Sequence, residues 1–252
     1  MSSTPKSTSG DMKAAAERRM ERWLLSPDLK EHMQHSKDVR KPAETGSYIS
    51  LSREAGAGGV RIARVVGQQL GWDILHKALL DFMTQRYNMP RDMLEVVDET
   101  RANWFHDVIG SFIDRRIVSH DSFVVHLERI IYLAALHGNI IFVGRGAQFV
   151  LPRAHGLAVR VVAPRKKRIE SMMERKELTR QAATALVDQL DAGRKEFCQR
   201  HFHHDITDPA EYDLVINTDR LSTQASAELI VDAFCRARRE GTVAEGAPKK
   251  LT

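Results

Sequence analysis

The stretch SYISLSREAGAGGVRIARVVGQQLGW, from Ser47 to Trp72, determines how the rest of this 252-residue chain is interpreted. It begins with a short apolar and β-branched run that is typical of a buried strand. The glycine-rich turn Gly56-Ala57-Gly58-Gly59 follows, and apolar residues at helical spacing continue from it. Because glycines permit positive φ and the close approach of an oxyanion, the turn can form an anion-binding nest at a helix N-terminus.

The turn resembles a P-loop that has lost its cation. In the ordinary pattern G-x-x-x-x-G-K-[ST], backbone N–H groups cradle phosphates, the lysine reaches the β- and γ-oxygens, and the hydroxyl binds Mg²⁺. Here Arg53 takes the place of the first glycine, Gly58 of the second, Gly59 of the lysine and Val60 of the hydroxyl. Only the backbone part of the motif remains, and the alternative is a glycine turn that serves packing alone.

Arginines near this turn and after a later strand offer positive charge in place of the lysine. Arg53, Arg61 and Arg64 are close to the turn in the sequence, and position favours Arg61 as the replacement. Arg145, in FVGRGAQFVL, lies between two glycines directly after a buried strand, at the sheet edge where α/β folds bind ligands. Its planar guanidinium suits a phosphate. The alternative is a loop arginine paired with a surface carboxylate.

Two later helical patterns carry charges that suit the same site. In VAPRKKRIESMMERK, Arg168 and Arg175 are seven residues apart on nearly the same face, from which a mobile helix could close over a transferring phosphoryl group. In VDQLDAGRKEF, Asp188, Asp191 and Arg194 follow one another at intervals of one turn and could contact a sugar and a phosphate. A solvated basic face and a plain surface ion pair are the respective alternatives.

The histidine-rich stretch CQRHFHHDITDP raises the question of a metal site. It contains His201, His203, His204 and Asp205. Neither cysteine nor histidine recurs elsewhere in the sequence at the spacing of a zinc site. We therefore expect loop histidines near the mouth of a phosphate site and no metal bound by these side chains.

The remaining pattern predicts an α/β fold in which helices flank a parallel sheet. Strands are expected at YISLS, NIIFVG, LAVRVVAP and YDLVINT, and their alternation with helices implies right-handed crossovers. The predicted domain covers residues 46–238 and includes a helical insertion from His76 to about Asp121. A flexible extension with one helix is expected over residues 1–45, and a disordered tail over residues 239–252.

Composition narrows the function classes only in part. A net charge of +5 and an isoelectric point near 9.3 suit anionic small molecules, nucleic acid or an ordinary soluble surface. Cys198 and Cys235 show no paired spacing, which favours reduced thiols in a cytoplasmic protein. The N-terminus lacks the apolar run of a secretory signal, and IIYLAALHGNIIFVG is too short and too interrupted to span a bilayer.

Five stretches in order resemble the cytidylate kinase-like family, a branch of the P-loop nucleoside monophosphate kinases. They are ISLSREAGAGGVRIA, IIFVGRGAQFVL, VVAPRKKRIESMMERKEL, VDQLDAGRKEF and DITDPAEYDLVINTDRLS, and with the segments between them they extend over nearly all of the chain from Ser47 to Phe234. In that family an S-R-E-x-G-x-G-G loop replaces the lysine-bearing loop, so Gly59 is expected. The chain departs from true cytidylate kinases at Gly146 and at His76, where aspartates are usual.

This resemblance implies a kinase, a transferase that uses ATP and Mg²⁺ to phosphorylate CMP or a related (d)NMP by in-line transfer. The implied architecture is a P-loop NTPase-like three-layer fold with a helical insertion of the NMP-binding type and a short lid. By the same match, Arg145 and Arg194 are expected to bind the acceptor phosphate, and Asp191 the ribose.

Residues of the glycine loop and of the lid helix are expected to bind the ATP phosphates and to supply the positive charge for catalysis. We expect catalytic charge from Arg61, Arg168 and Arg175. The residues expected at the ATP phosphates are Arg53, Gly56, Ala57, Gly58 and Gly59.

The missing lysine leaves two other functions open. One is a catalytically weak nucleotide-binding regulatory module that retains the kinase fold, because a fold does not guarantee a function. The other is a nucleic-acid binder, which is disfavoured because the few aromatic residues offer no stacking platform. We expect nucleotide partners, no nucleic acid and no membrane. The acceptor base and the oligomeric state are left open.

Overall fold

A computed structural model describes residues 14, 16–19, 45–86 and 122–244 of the chain. The chain divides into two compact units. The helical unit combines residues Met1–Thr45 with Lys77–His137, and the sheet unit combines Gly46–His76 with Gly138–Thr252. The glycine turn and the arginines that follow the later strands all belong to the sheet unit.

The sheet unit contains five parallel strands in the order β2-β3-β1-β4-β5. Because all pairings are parallel, the carboxyl ends of the strands meet at one edge, and β1 is the central strand. The strands are β1 (Tyr48–Arg53), β2 (Asp73–His76), β3 (Ile140–Val143), β4 (Gly156–Val162) and β5 (Leu214–Asn217).

Four of these strands confirm the prediction, and β2 was missed. Its four residues, DILH, bury only Leu75 completely, so they show neither an apolar run nor a clear alternation. Pairing with β3 determines their conformation, and that information is not local. The predicted parallel α/β sheet flanked by helices is confirmed.

Helices connect the strands of the sheet unit. α1 covers Gly59–Leu70, and α2 (Lys77–Arg86) and α3 (Ser122–His137) belong to the helical unit. Side-chain oxygens of Thr179 and Ser222 cap two of the later helices by accepting from Ala182 N and Ala225 N. The later helices are α4 (Ala147–Val150), α5 (Arg165–Lys176), α6 (Arg180–Phe202) and α7 (Thr223–Arg239).

The main core of the sheet unit lies between the strands and the pair α1 and α7. Apolar side chains of β1, β3 and β4 are fully buried, as expected for parallel strands that are covered on both faces. The rings of Trp72 and Phe234 meet edge to face with centroids 5.0 Å apart. Val243 is also buried in this core, and Ala244 N donates to Ala154 O at 2.7 Å.

Burial of Val243 corrects the predicted start of the C-terminal tail. The chain was expected to be disordered from residue 239, but α7 continues to Arg239 and the chain then turns back onto the core. The apolar contact of a single valine in a polar segment gives no periodic signal. Residues 245–252 lie outside the described residues.

The helical unit is described only in part. α2 and α3 pack against each other, with Leu80, Met83, Leu127 and Ile131 fully buried, and residues 14 and 16–19 are helical. Most of the predicted insertion, residues 87–121, lies outside the described residues, as does most of the predicted N-terminal extension. Within the described ranges no helix has the length and apolar character that crossing a membrane requires.

The packing of α7 predicts that truncating two of its side chains lowers the free energy of unfolding by very different amounts. Phe234→Ala should lower the free energy of unfolding by about 3 kcal/mol, because it leaves a cavity beneath Trp72. Leu229→Ala is the matched control, since Leu229 is 46% exposed on the same helix. Urea unfolding followed by circular dichroism measures both values. Equal losses for the two variants would contradict this packing.

The two cysteines should differ in reactivity. Burial raises the pKa of the Cys198 thiol to about 12, whereas Cys235 is exposed. Because only a thiolate is a strong nucleophile, Cys198 stays protonated and unreactive at pH 8 in the folded protein. A thiol reagent should therefore label one cysteine per chain, identified as Cys235 by peptide mapping, and two after denaturation. Rapid labelling of native Cys198 would contradict the burial.

Candidate active site

The glycine turn connects the carboxyl end of β1 to the N-terminus of α1. Gly56 has φ of 84° and Gly58 has φ of 87°, a left-handed conformation that glycine adopts at little cost. Gly58 is the residue that caps α1. The turn thus depends on its glycines for backbone conformation, as the sequence indicated.

Carbonyl groups in and beside this turn accept hydrogen bonds, whereas two of its N–H groups make none within the described residues. Ala55 O accepts from Arg168 Nη1 at 3.3 Å, and Ala57 O accepts from Thr218 Oγ1 at 3.0 Å. In the described part of the chain, no hydrogen bond uses the N–H groups of Gly58 or Gly59. Free N–H groups at the N-terminus of a twelve-residue helix are suited to bind an anion.

The position of the missing lysine is closed by packing. A Cβ atom on Gly59 would lie 2.7 Å from Arg53 Cβ and 3.0 Å from Leu51 Cδ2. A lysine there would force β1 and α1 apart, so the glycine is required by the close contact of strand and helix. The absence of lysine is consequently a property of the local packing.

A first arginine group, consisting of Arg61, Arg64 and Arg175, lies beside the turn. The Cβ position of Gly58 is 3.6 Å from Arg61 Nη2. The pKa of Arg175 is lowered by its partial burial and then by the charges of Arg61 and Arg64, which places the end of α5 near the start of α1. The structure therefore brings together two of the three predicted catalytic arginines.

The third, Arg168, has a different environment from the one predicted. It is 8% exposed, and its guanidinium contacts Asp191 Oδ2 at 2.6 Å and Glu54 Oε2 at 3.3 Å. It also donates to Ala163 O and Ala55 O. A mobile lid arginine was expected, but these contacts fix Arg168 under the turn, where it joins α5 to β1 and α6.

Asp191 completes this network. Its Oδ1 accepts from Ala55 N at 2.7 Å and from Arg194 Nη1 at 3.0 Å, while Oδ2 pairs with Arg168. Both carboxylate oxygens thus organise the site, and binding of a ribose by Asp191 stays a prediction. Asp188, one turn earlier, pairs with Arg165 of α5 at 2.7 Å on the exposed surface.

Arg145 occupies a strained turn after β3. Gly144, Arg145 and Gly146 have φ values of 83°, 64° and 68°, so three consecutive residues are left-handed. For arginine this conformation costs roughly 1–2 kcal/mol. The guanidinium lies 4.6 Å from the ring centroid of Phe197 on α6. Strain of this kind is common at functional sites, where the surrounding structure maintains it.

Arg53 and Arg194 join Arg145 in a second arginine group. Arg194 Nη1 donates to Arg53 O at 3.1 Å, and a Cβ on Gly144 would overlap Arg53 Nη1. Burial, together with the charges of Arg194 and Arg145, lowers the pKa of Arg53 to about 10 against the opposing attraction of Asp191. Arg53 was predicted with the ATP phosphates, but its guanidinium extends to the turn after β3.

Two features of the site were missed in the sequence. Arg160 lies inside the apolar run of β4, where the run itself indicated only a core strand. The other is an aromatic cluster, in which Phe202 fills the space next to Gly146. Four of its five members lie within residues 197–204, at the end of α6 and just after it, and Phe149 joins them from α4. They are Phe149, Phe197, His201, Phe202 and His204.

The histidine stretch contributes to this cluster and not to a metal site within the described ranges. His204 stacks on Phe149 with ring centroids 4.4 Å apart, and its Nδ1 lies 2.7 Å from Glu211 Oε1. His201 contacts Phe197. The described ranges contain no group of three or more histidine, cysteine or acidic side chains arranged to bind a metal.

The residues at the turn do not match the Mg²⁺ ligands of an ordinary P-loop. Val60 has no hydroxyl oxygen. Asp191, whose carboxylate accepts from Ala55 N beside the turn, and Glu54, the residue before Ala55, are both paired with Arg168. Mg²⁺ prefers oxygen ligands in a regular octahedron, and these groups are already engaged. These described residues therefore do not fit the Mg²⁺ site of an ordinary P-loop.

Comparisons with known proteins identify a family and a fold. A sequence model described as the cytidylate kinase-like family matches residues 48–220. No curated protein matches the sequence. The structure is similar to that of an uncharacterized protein from Eubacterium ventriosum ATCC 27560, with a TM-score of 0.57 and 16% identity over 75% of this chain and 98% of that chain. This likeness supports the fold alone.

Weaker structural similarities include two named kinases. Shikimate kinase from Acinetobacter baumannii in complex with shikimate has a TM-score of 0.43 and 14% identity, over 77% of this chain and 96% of that one. APS kinase from Mycobacterium tuberculosis in complex with AMPPNP and APS has a TM-score of 0.39 and 14% identity, over 76% and 98%.

The left-handed backbone of Arg145 predicts an unusual order of stability. Arg145→Gly should be more stable than Arg145→Ala by about 1 kcal/mol, because both variants lose the guanidinium but only alanine retains the Cβ that disfavours positive φ. Chemical denaturation of the two variants measures the difference. If alanine is the more stable, Arg145 is not left-handed in solution.

Proposed function

The chain belongs to the cytidylate kinase-like family, and on that premise we propose that it transfers the γ-phosphoryl group of ATP to a nucleoside monophosphate, CMP or a related (d)NMP. The observation that carries the proposal is that two arginine groups lie at the carboxyl edge of the sheet, around the glycine turn. The first group lies beside the glycine turn, and the second lies at the ends of β1 and β3.

The donor phosphates are assigned to the turn and the first arginine group. The N–H groups of Gly58 and Gly59 would donate to phosphate oxygens at the positive end of the α1 dipole. Arg61 is close to Gly58 and would supply the charge that a P-loop lysine supplies elsewhere. Arg175 joins it from the end of α5, so charges from two elements share this role.

The acceptor phosphate is assigned to Arg145 and Arg194. Both lie at the carboxyl edge of the sheet, the usual ligand position in open α/β folds. Asp191 fixes Arg194, and Phe197 contacts Arg145, so each guanidinium has a defined orientation. Paired guanidinium donors recognise the tetrahedral oxygens of a phosphate well.

Transfer requires positioning and charge neutralisation more than covalent catalysis. An oxygen of the acceptor phosphate attacks the γ-phosphorus of ATP, the bond to the β,γ-bridging oxygen breaks, and ADP leaves with that electron pair. Negative charge spreads over the transferring oxygens. Arginines on both sides of the reaction line would stabilise this charge, and each such contact is typically worth about 10²–10³ in rate.

A second function is favoured by a separate observation. Gly59 leaves no space for a lysine, and the carboxylates at the turn are held by Arg168. A chain of this kind can bind nucleotides with little turnover. The alternative is therefore a regulatory nucleotide-binding module on the same fold.

An assay of ADP release distinguishes the kinase from the regulatory module. Purified protein should release ADP from ATP when CMP or a related monophosphate is present, and Arg61→Met or Arg194→Met should lower kcat/KM by about 100-fold. Arg236→Met is the matched control, because Arg236 is exposed and pairs with Asp232 away from the site. Tight nucleotide binding without ADP release with any monophosphate would refute the kinase and support the module.

A further inference from the structure

Two arginines at the carboxyl edge of the sheet have no acidic partner in the described part of the chain. Arg53 makes no ion pair there, although it is largely enclosed by the protein. Arg160 is 6% exposed, and its Nη1 donates to Ser52 Oγ at 3.2 Å. A buried cation without a counter-charge is costly, so its retention indicates that an anion is supplied from outside.

Arg53 is directed away from the glycine turn by its own packing. Its Cβ lies against Gly59, and its guanidinium extends to Gly144 at the end of β3. Gly144 has φ of 83°, and a side chain there would overlap Arg53 Nη1. Two glycines thus make room for this one side chain, which brings it close to Arg145 and Arg194.

Arg160 contributes positive charge near the same arginines from the neighbouring strand, β4. The register of β1 and β4 places Ser52 opposite Arg160. The guanidinium lies 5.6 Å from the ring centroid of Tyr212, and it is close enough to Arg194 to affect the pKa of that residue. Arg194 is therefore close to both Arg53 and Arg160.

The local charge balance gives the class of ligand. Within the described residues the carboxylates of Glu54 and Asp191 pair with Arg168 and Arg194. The guanidiniums of Arg53 and Arg160 have no carboxylate partner there. Two positive charges remain without compensation. A phosphate monoester carries about two negative charges at neutral pH and has several acceptor oxygens, so it fits both the charge and the donors.

We propose that Arg53, although it belongs to the glycine-loop stretch, binds the phosphate of the acceptor and not the phosphates of ATP, with Arg160 as a buried cation behind it. This inference rests on the proposed function. It makes a phosphate monoester the required acceptor class, so the corresponding nucleoside is not phosphorylated. Arg53 then becomes a residue that determines acceptor specificity.

Binding measurements test the proposal independently of turnover. Calorimetry of the full chain with ATP, with each nucleoside monophosphate and with inorganic phosphate gives the wild-type affinities. Arg53→Met should weaken binding of the best monophosphate at least tenfold and change ATP binding less than twofold. Arg61→Met should show the reverse pattern, and Arg236→Met should change neither.

Arg53→Lys provides a second test in case Arg53→Met does not fold. Lysine keeps the charge but loses the planar fork, so monophosphate affinity should fall between wild type and Arg53→Met. The unliganded melting temperature of Arg53→Met should equal or exceed that of wild type, because methionine removes an uncompensated charge. A purely structural role for Arg53 would lower that temperature and leave monophosphate affinity unchanged.

The outcomes distinguish this inference from the proposed function. Weaker ATP binding with unchanged monophosphate binding in Arg53→Met would overturn the inference and return Arg53 to the ATP phosphates. No wild-type affinity for any monophosphate or for inorganic phosphate would also overturn it. Monophosphate binding that depends on Arg53, without ADP release, would refute the kinase alone and leave the anion site in place.

Discussion

The site depends on the carboxylate of Asp191. It accepts a hydrogen bond from the backbone of the glycine turn, and it pairs with one arginine on α5 and one on its own helix. Strand, turn and two helices are thereby joined through a single side chain. Breaking a partly buried network of this kind typically costs about 3–5 kcal/mol, because charges are left without partners. The positions of Arg168 and Arg194 follow from this anchor.

The positive charge at the turn comes from neighbouring elements because β1 and α1 pack closely together. Since Gly59 packs on Arg53 and Leu51, the residue at the lysine position has no room for a side chain. Charge can reach the phosphates only from neighbouring elements. Arg61, at the first turn of α1, and Arg175, at the end of α5, occupy such positions. An arrangement that relies on two helices is more sensitive to their relative position than a lysine fixed in the loop would be.

The sequence was sufficient for four of the five strands and for the edge where the ligand is expected. Four strands and the position of Arg145 followed from apolar runs and from the glycines beside them. The environment of Arg168 did not follow, because helical spacing gives the face of a residue and not what covers that face. Arg160 was hidden for a similar reason: its strand is apolar on both sides, and only the register with Ser52 reveals its surroundings. Long-range pairing decided each of these cases.

Several features of the site lower the stability of the unliganded protein, and they lie close together. Arg145 is left-handed between two glycines, while Arg53 and Arg160 keep their charges without acidic partners in the described residues. Strain and uncompensated charge in one place are expected where binding supplies the missing energy. An anion at this edge would offset the repulsion among the arginines and would be bound more tightly for that reason. The cost borne by the free protein is thus a source of affinity for the ligand.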